Sequence, residues 1–161
     1  MKILVASDSH GDRLSLLTVL ERCEHRMDMF VFLGDGVRDA EYALSLYPRV
    51  PRVIVRGNCD MFADADEYPE EALFEADGVS FLAVHGHRLG VKGGLGSAAK
   101  YAHGKGADVL LYGHTHRSDD TAIGTGNGDL RAINPGSIGR GGTFALVETV
   151  GGKIVCGFAE V

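Results

Sequence analysis

Cysteine is scarce in this chain: Cys23, Cys59 and Cys156 are odd in number, widely spaced and free of any C-x-x-C pair. That pattern excludes a disulfide framework and a thiolate zinc knot, and it suits a reducing compartment. No apolar run approaches the length of a membrane span, so no membrane partner is expected. Positive charge is in deficit as well. The formal net charge of −6 provides no basic field to gather phosphates, so specific nucleic-acid binding is not expected. This excludes a mode of attraction rather than a phosphoester substrate. The opening "MKILVAS" is too short for a signal peptide and enters an expected strand directly, which makes a soluble, cytoplasmic protein the expectation.

Against four prolines and no tryptophan stand 23 glycines. Many of them follow apolar runs and precede polar residues, as in "FLGD", "VRGNCD", "AVHGHR" and "LYGHTH". Glycine serves tight turns, and it also lets backbone and ligand approach closely. A chain of 161 residues with 45% hydrophobic content suits one domain, expected over residues 1–161, that buries roughly 70% of its unfolded surface.

The first half alternates strands and helices. Strands are expected at 2–6, 29–33 and 52–56, and helices at 13–25 and 39–46, the second stopping before Pro48. Such alternation implies parallel βαβ units. The second half is richer in hairpins. Asp77-Gly78, Asn127-Gly128 and Gly151-Gly152 each separate two apolar runs, a turn signal for antiparallel strands. A helix is expected at 97–106 and a strand at 108–112. The glycine-rich "GHRLGVKGGLGS" at 86–97 reads as a mobile loop and lacks the Gly-Lys-Ser/Thr end of a phosphate-binding P-loop. Two mixed sheets packed face to face with helices outside are the expected α/β architecture.

Every expected core strand has a polar tail. Asp8 and His10 follow the first, Asp35 the second, and Asn58, Cys59 and Asp60 the third. His85 and His87 end "FLAV", and His114 and His116 follow "VLLYG". The carboxyl ends of parallel strands form the crevice where ligands bind, so five segments would deliver these residues to one rim. A single aspartate after a strand is usually a helix cap, and a single histidine is usually structural. Five of the seven histidines at expected strand ends, His25 and His103 being the exceptions, make a joint pattern that points to metal. Asp12 and Asp60 would orient neighbouring histidines, or in the case of Asp12 cap the following helix.

The motifs "DSHGD", "GD", "GNCD", "HGH" and "GHTH", in this order over residues 8–116, resemble those of the calcineurin-like metallophosphoesterases. Within that superfamily the chain is similar to the small bacterial and archaeal phosphodiesterases of the YfcE type, a group related to the eukaryotic retromer subunit. The resemblance implies a four-layer α/β/β/α sandwich with two divalent ions per chain. Asp8, His10, Asp35 and His116 would hold one ion, and Asp35, Asn58, His85 and His114 the other, with Asp35 shared. Mixed imidazole and oxygen donors suit Mn²⁺, Ni²⁺, Fe²⁺, Zn²⁺ or Co²⁺, whereas Mg²⁺ alone suits so many nitrogens poorly; with the resemblance, Mn²⁺ is the first expectation. A hydroxide between the ions would attack phosphorus in line with the leaving oxygen of a small phosphodiester. His87 and Arg117 stand as candidate phosphate contacts.

Many members of the family carry a histidine where this chain has Cys59, and that histidine is taken to protonate the leaving group. A thiol is a poorer acid at neutral pH. "INPGSIGRG", with Asn134-Pro135-Gly136-Ser137, belongs to the same resemblance and reads as a tight turn with exposed amides that supports the site. Rival expectations are a phosphomonoesterase or nucleotide pyrophosphatase with the same ions, a weakly catalytic protein-binding scaffold like the retromer subunit, and a zinc-dependent amide hydrolase.

Overall fold

Alternating apolar side chains along the central strands bury both strand faces, and this produces the layering. In a computed structural model, which describes residues 1–61, 67–126 and 128–161, the chain folds into two five-stranded mixed sheets and three helices. The elements are β1 (Lys2–Ala6), α1 (Arg13–Cys23), β2 (Met29–Phe32), α2 (Val37–Ser45) and β3 (Arg52–Ile54), followed by β4 (Glu71–Ala76), β5 (Val79–Val84), α3 (Gly96–Gly104) and β6 (Val109–Tyr112). The chain ends with β7 (Ser118–Gly124), β8 (Asp129–Pro135), β9 (Thr143–Val150) and β10 (Lys153–Glu160). The strand orders are β10-β9-β1-β2-β3 and β4-β5-β6-β8-β7.

Ile3 and Val5 of β1 point into the core between the sheets, where they meet Phe81, Ala83, Val109 and Leu111. Leu4 and Ala6 point the other way and pack with Leu16, Leu20 and Leu44 of α1 and α2. On the far side Leu82, Val84, Leu110 and Tyr112 pack against Ala98, Ala99 and Ala102 of α3. Three cores therefore separate four layers, α/β/β/α, as the strand periodicity and family resemblance lead one to expect.

The runs β1-β2-β3 in one sheet and β5-β6-β8 in the other are parallel. Hairpins close the edges. Ala76 pairs with Val79 around Asp77-Gly78, whose φ values are 49° and 75°. Val150 pairs with Lys153 around Gly151-Gly152, at 55° and 76°. Two consecutive positive φ values mark the turn whose twist matches that of the flanking strands. Asn127, the first residue of the third expected turn, lies outside the described residues, and β7 and β8 pair on either side of it from Ser118↔Pro135 to Gly124↔Asp129.

Several boundaries differ from the sequence expectation. α2 begins at Val37 rather than residue 39, because the Asp60 carboxylate accepts hydrogen bonds from the Gly36 and Val37 amides, both at 2.9 Å. β3 stops at Ile54, since the Arg56 amide donates to Pro69 rather than to a strand partner. Residues expected to form a loose glycine-rich loop instead make two 3-10 turns, His87–Leu89 and Val91–Gly93. Burial of Val91 against the α3 core anchors them.

Candidate metal centre

The rim at the carboxyl ends of the six parallel strands collects the polar tails. Seven non-glycine residues have positive φ among the described residues, and five of them are Asp8, His10, Asp35, His114 and His116, at 47° to 68°. Such backbone disfavours a Cβ and is commonest, among non-glycine residues, in Asp, Asn and His. Abrupt left-handed steps after β1, β2 and β6 turn these residues out of the strand direction at the rim. Two glycines allow the loops to touch. A Cβ on Gly34 would lie 2.4 Å from the Gly57 nitrogen, and one on Gly113 would lie 2.1 Å from Ser7 Oγ. The first contact joins the loops after β2 and β3, and the second joins the two sheets.

Among the described residues, Asp8, His10 and His116 form one group of converging ligand atoms, and Asp35, His85 and His114 form another. Asp8 Oδ2 accepts hydrogen bonds from Ser7 Oγ at 2.6 Å and from the His114 amide at 3.0 Å. Its Oδ1 is buried without a hydrogen-bond partner and lies 3.2 Å from His116 Nε2 and 3.7 Å from His10 Nε2. Asp35 faces both groups, its Oδ2 being 3.4 Å from His85 Nε2 and 3.9 Å from His10 Nε2. Its Oδ1 accepts the Cys59 amide at 2.7 Å. Facing ring nitrogens are 3.2 Å apart in both the His10–His116 and the His85–His114 pairs.

This geometry fits a cation. An orphaned buried carboxylate oxygen is costly, and two imidazole nitrogens at hydrogen-bond distance need a proton or cation between them. His85 Nδ1 sits 2.7 Å from the Leu33 carbonyl. A donated bond there fixes the tautomer and frees Nε2 as a ligand. Burial pushes the Asp35 carboxyl upward, but the hydrogen bond from His85, the Cys59 amide and the His85 charge together hold it well below the usual carboxylate range. Burial pushes His85 down, but its hydrogen bond to Asp35, the charges of Asp35 and Asp8 and the Leu33 carbonyl together outweigh this and raise it. A proton on His85 thus does for Asp35 what a bound cation would do.

The third segment contributes differently. Asn58 is exposed, with its amide nitrogen 3.2 Å from Cys59 Sγ. Cys59 Sγ itself falls in a group with His10 and Asp35 whose ligand atoms all lie within 4.8 Å of one another. Burial and the hydrogen bond to Asp35 push the thiol up to about 11, so it carries its proton at neutral pH. The His87 ring is 5.5 Å from the ring of His85, but it lines a separate cleft of about 390 Å³ with Glu70, Arg88 and Tyr101. Arg117 lines another, of about 570 Å³, with Val91, Lys92 and Tyr112.

The supporting residues were only partly foreseeable. Asp60 does not orient a histidine. Its two buried oxygens accept amides of Asp35, Gly36, Val37 and Gly57 at 2.8 to 2.9 Å, which locks the loop after β2 to the loop after β3. Asp12 is a helix cap, accepting from the Ser15 amide at 3.1 Å and the Ser15 hydroxyl at 2.8 Å. It also accepts the Arg140 amide at 2.7 Å. Asp39, which helical patterning marks only as a first-turn acid, is buried and accepts from Ser9 Oγ and the Gly11 amide at 2.7 and 2.8 Å. Asn134 supports the site as expected, but from a buried position rather than an exposed turn. It donates to the Gly113 carbonyl at 2.9 Å and to Thr115 Oγ1 at 3.1 Å, pinning the segment that carries His114 and His116.

Residues 1–152 match the model of the calcineurin-like phosphoesterase superfamily domain. The chain is 35% identical over 139 residues to the probable metallophosphoesterase YsnB of Bacillus subtilis, covering 86% of this chain and 75% of that protein. It is 32% identical over 159 residues to the phosphodiesterase YfcE of Escherichia coli, covering 86% and 79%. A crystal structure of a predicted phosphoesterase from Streptococcus pneumoniae superposes with a TM-score of 0.81 at 27% identity, covering 99% of this chain and 88% of that one. With its fold, its convergent Asp and His side chains and its matched length, the chain belongs to the calcineurin-like phosphoesterase superfamily.

Proposed function

We propose that this protein is a phosphodiesterase that uses two divalent ions on a small phosphodiester. Asp8, His10, Asp35 and His116 would hold one ion, and Asp35, Asn58, His85 and His114 the other, with Mn²⁺ as the first candidate among the divalent ions such mixed donors accept. The carrying observation is the position of Asp35: one carboxylate oxygen lies within 3.9 Å of histidines belonging to both groups. Such ions, when bound, lower the pKa of a shared water toward neutrality and offset charge on phosphoryl oxygens.

The chain's own residues prepare that chemistry. Ser7 and the His114 amide hold Asp8 Oδ2 and leave Oδ1 for coordination. The Cys59 amide does the same for Asp35. With only two carboxylates in the ligand set and a neutral Asn58, the loaded site keeps a formal charge of about +2 toward an anionic ester. The cysteine thiol at the centre of this loop does not suit a nucleophile, being protonated at neutral pH. The name of the E. coli relative favours a diester over a monoester. Three free thiols, Cys23, Cys59 and Cys156, suit a cytoplasmic setting. No helix among the described residues is long and apolar enough to cross a membrane.

The test is hydrolysis of bis-p-nitrophenyl phosphate beside p-nitrophenyl phosphate, using metal-stripped protein titrated with Mn²⁺. Activity should return with Mn²⁺, favour the diester and vanish in Asp35→Ala. That loss should exceed the roughly 10–100-fold typical of removing a residue that merely orients a ligand. Preference for the monoester would assign a phosphatase. Full activity and metal content in Asp35→Ala would refute the shared-carboxylate arrangement.

A further inference from the structure

Arg117 is the arginine nearest the candidate ligands in sequence, but Arg140 is the one that shares a cavity with them. A cleft of about 310 Å³ is lined by Asp8, His10, His116, Asp12, Ser137 and Arg140, among others. The polar groups beside the ligands are largely spoken for. Asp12 takes the Ser15 and Arg140 amides, and Ser137 Oγ donates to the Asp8 carbonyl at 2.8 Å. The Arg140 guanidinium makes no hydrogen bond or ion pair among the described residues, and the side chain is exposed. It is therefore a fixed-charge donor with open valences at the mouth of the candidate centre.

The backbone adds a second, independent observation. Arg140 has φ 58°, and among the seven non-glycine residues with positive φ it alone is neither aspartate nor histidine. Five of the others are candidate ligands, and Asp77 opens a hairpin turn. Glycine suits this conformation, and glycines occupy 139, 141 and 142, so nothing in the local fold calls for an arginine at 140. Strained non-glycine backbone tends to gather at functional sites. The Asp12 carboxylate, by holding the Arg140 amide, sets where the side chain leaves the loop.

We propose that Arg140 anchors the substrate: its guanidinium takes phosphoryl oxygens of the ester lying in the cleft beside Asp8, His10 and His116, and so selects a compact phosphoester. This rests on the phosphoesterase reading above. A planar guanidinium matches two phosphoryl oxygens at once, which an ammonium does not. A cleft near 310 Å³ is at the small end for ligand sites, which fits a short ester arm rather than a polymer.

The test uses full-length protein loaded with Mn²⁺ and the variants Arg140→Gly, Arg140→Lys and Arg117→Ala. Arg140→Gly should melt at or above the wild-type temperature, because glycine relieves the backbone. Its affinity for inorganic phosphate by titration calorimetry, and its KM for bis-p-nitrophenyl phosphate, should both weaken by about 10–100-fold, with kcat changed far less and Mn²⁺ content unchanged. Arg140→Lys should recover part of the loss. Phosphate affinity equal to that of the wild type in Arg140→Gly overturns the assignment, as does a wild type that binds no phosphate or a loss confined to Arg117→Ala. A wild type that binds phosphate through Arg140 yet hydrolyses no ester would reject the enzyme reading while leaving the anion contact in place.

Discussion

Cys59 donates its amide to Asp35, and its sulfur shares that carboxylate's surroundings with His10. Burial and the Asp35 contact push the thiol up to about 11, far from the value that best serves proton donation near pH 7. Leaving groups that need a proton should therefore react slowly, and those that leave as stable anions should react normally. Cys59→His is expected to accelerate alkyl esters by about 100-fold, at the low end of general-acid contributions, and p-nitrophenyl esters hardly at all. Turnover along a series of leaving groups, at matched metal content, checks this, and an equal gain across the series would reject it. At this scale the sequence was most informative where the residue type itself carries the chemistry. Six of the seven expected ligands converge in two adjoining groups, because a histidine or aspartate at a strand end has few places to go. Arg140 was not distinguishable from Arg117, since nothing local says which arginine returns to the rim.

The elements around the centre are tied together by carboxylates acting on backbone amides. Asp60, 7% exposed, accepts four amides from the loops after β2 and β3 and so starts α2 from outside it. Asp60→Ala leaves those donors without partners. It should cost roughly 2–4 kcal/mol of stability, judged from urea unfolding, and weaken Mn²⁺ binding by about 10–100-fold through misplacement of Asp35. Intact metal affinity would mean that the loop holds its shape without Asp60. Asp12 does the corresponding work for α1. The Arg140 amide, and then the Ser15 hydroxyl and amide, lower its pKa. A depressed carboxyl contributes stability above its unfolded value, near 3.8, and loses it as the pH falls through the folded value. Wild type should therefore be more stable than Asp12→Ala by about 1 kcal/mol at pH 7, with the difference shrinking by pH 3. A constant difference in the urea midpoints would assign the effect to something other than the charged cap.

For the molecule as a whole, the two sheets press together through Ile3, Val5, Phe81, Val109 and their neighbours. The rim above them holds five residues in left-handed backbone and a buried carboxylate oxygen without a partner. A cation bound there is linked to folding. Mn²⁺ at about 100 times its dissociation constant should add about 2.7 kcal/mol, which for a chain of this size raises the melting temperature by roughly 5–10 °C. Calorimetry of chelator-treated protein with and without Mn²⁺ would show it, and Asp35→Ala should lose most of the shift. An unchanged melting temperature in the wild type would mean that the rim does not bind the ion in the folded state.

The amino-acid sequence by itself determined what depends on neighbours along the chain. Short continuous apolar runs placed β1, β2, β5 and β6, paired turn residues placed the hairpins at Asp77-Gly78 and Gly151-Gly152, and the strand ends marked where Asp8, Asp35, His85 and His114 would emerge. Tertiary structure alone decided what depends on loops meeting from different strands. It set the start of α2 through Asp60, the pinning of the His114–His116 segment through Asn134, the approach of Cys59 to His10 and Asp35, and the choice of Arg140 over Arg117 at the cleft. The reason is physical. Periodicity and turn geometry are imposed over a few residues by backbone sterics, whereas a carboxylate capping a helix from another loop acts only after sheet order and packing have brought the two together.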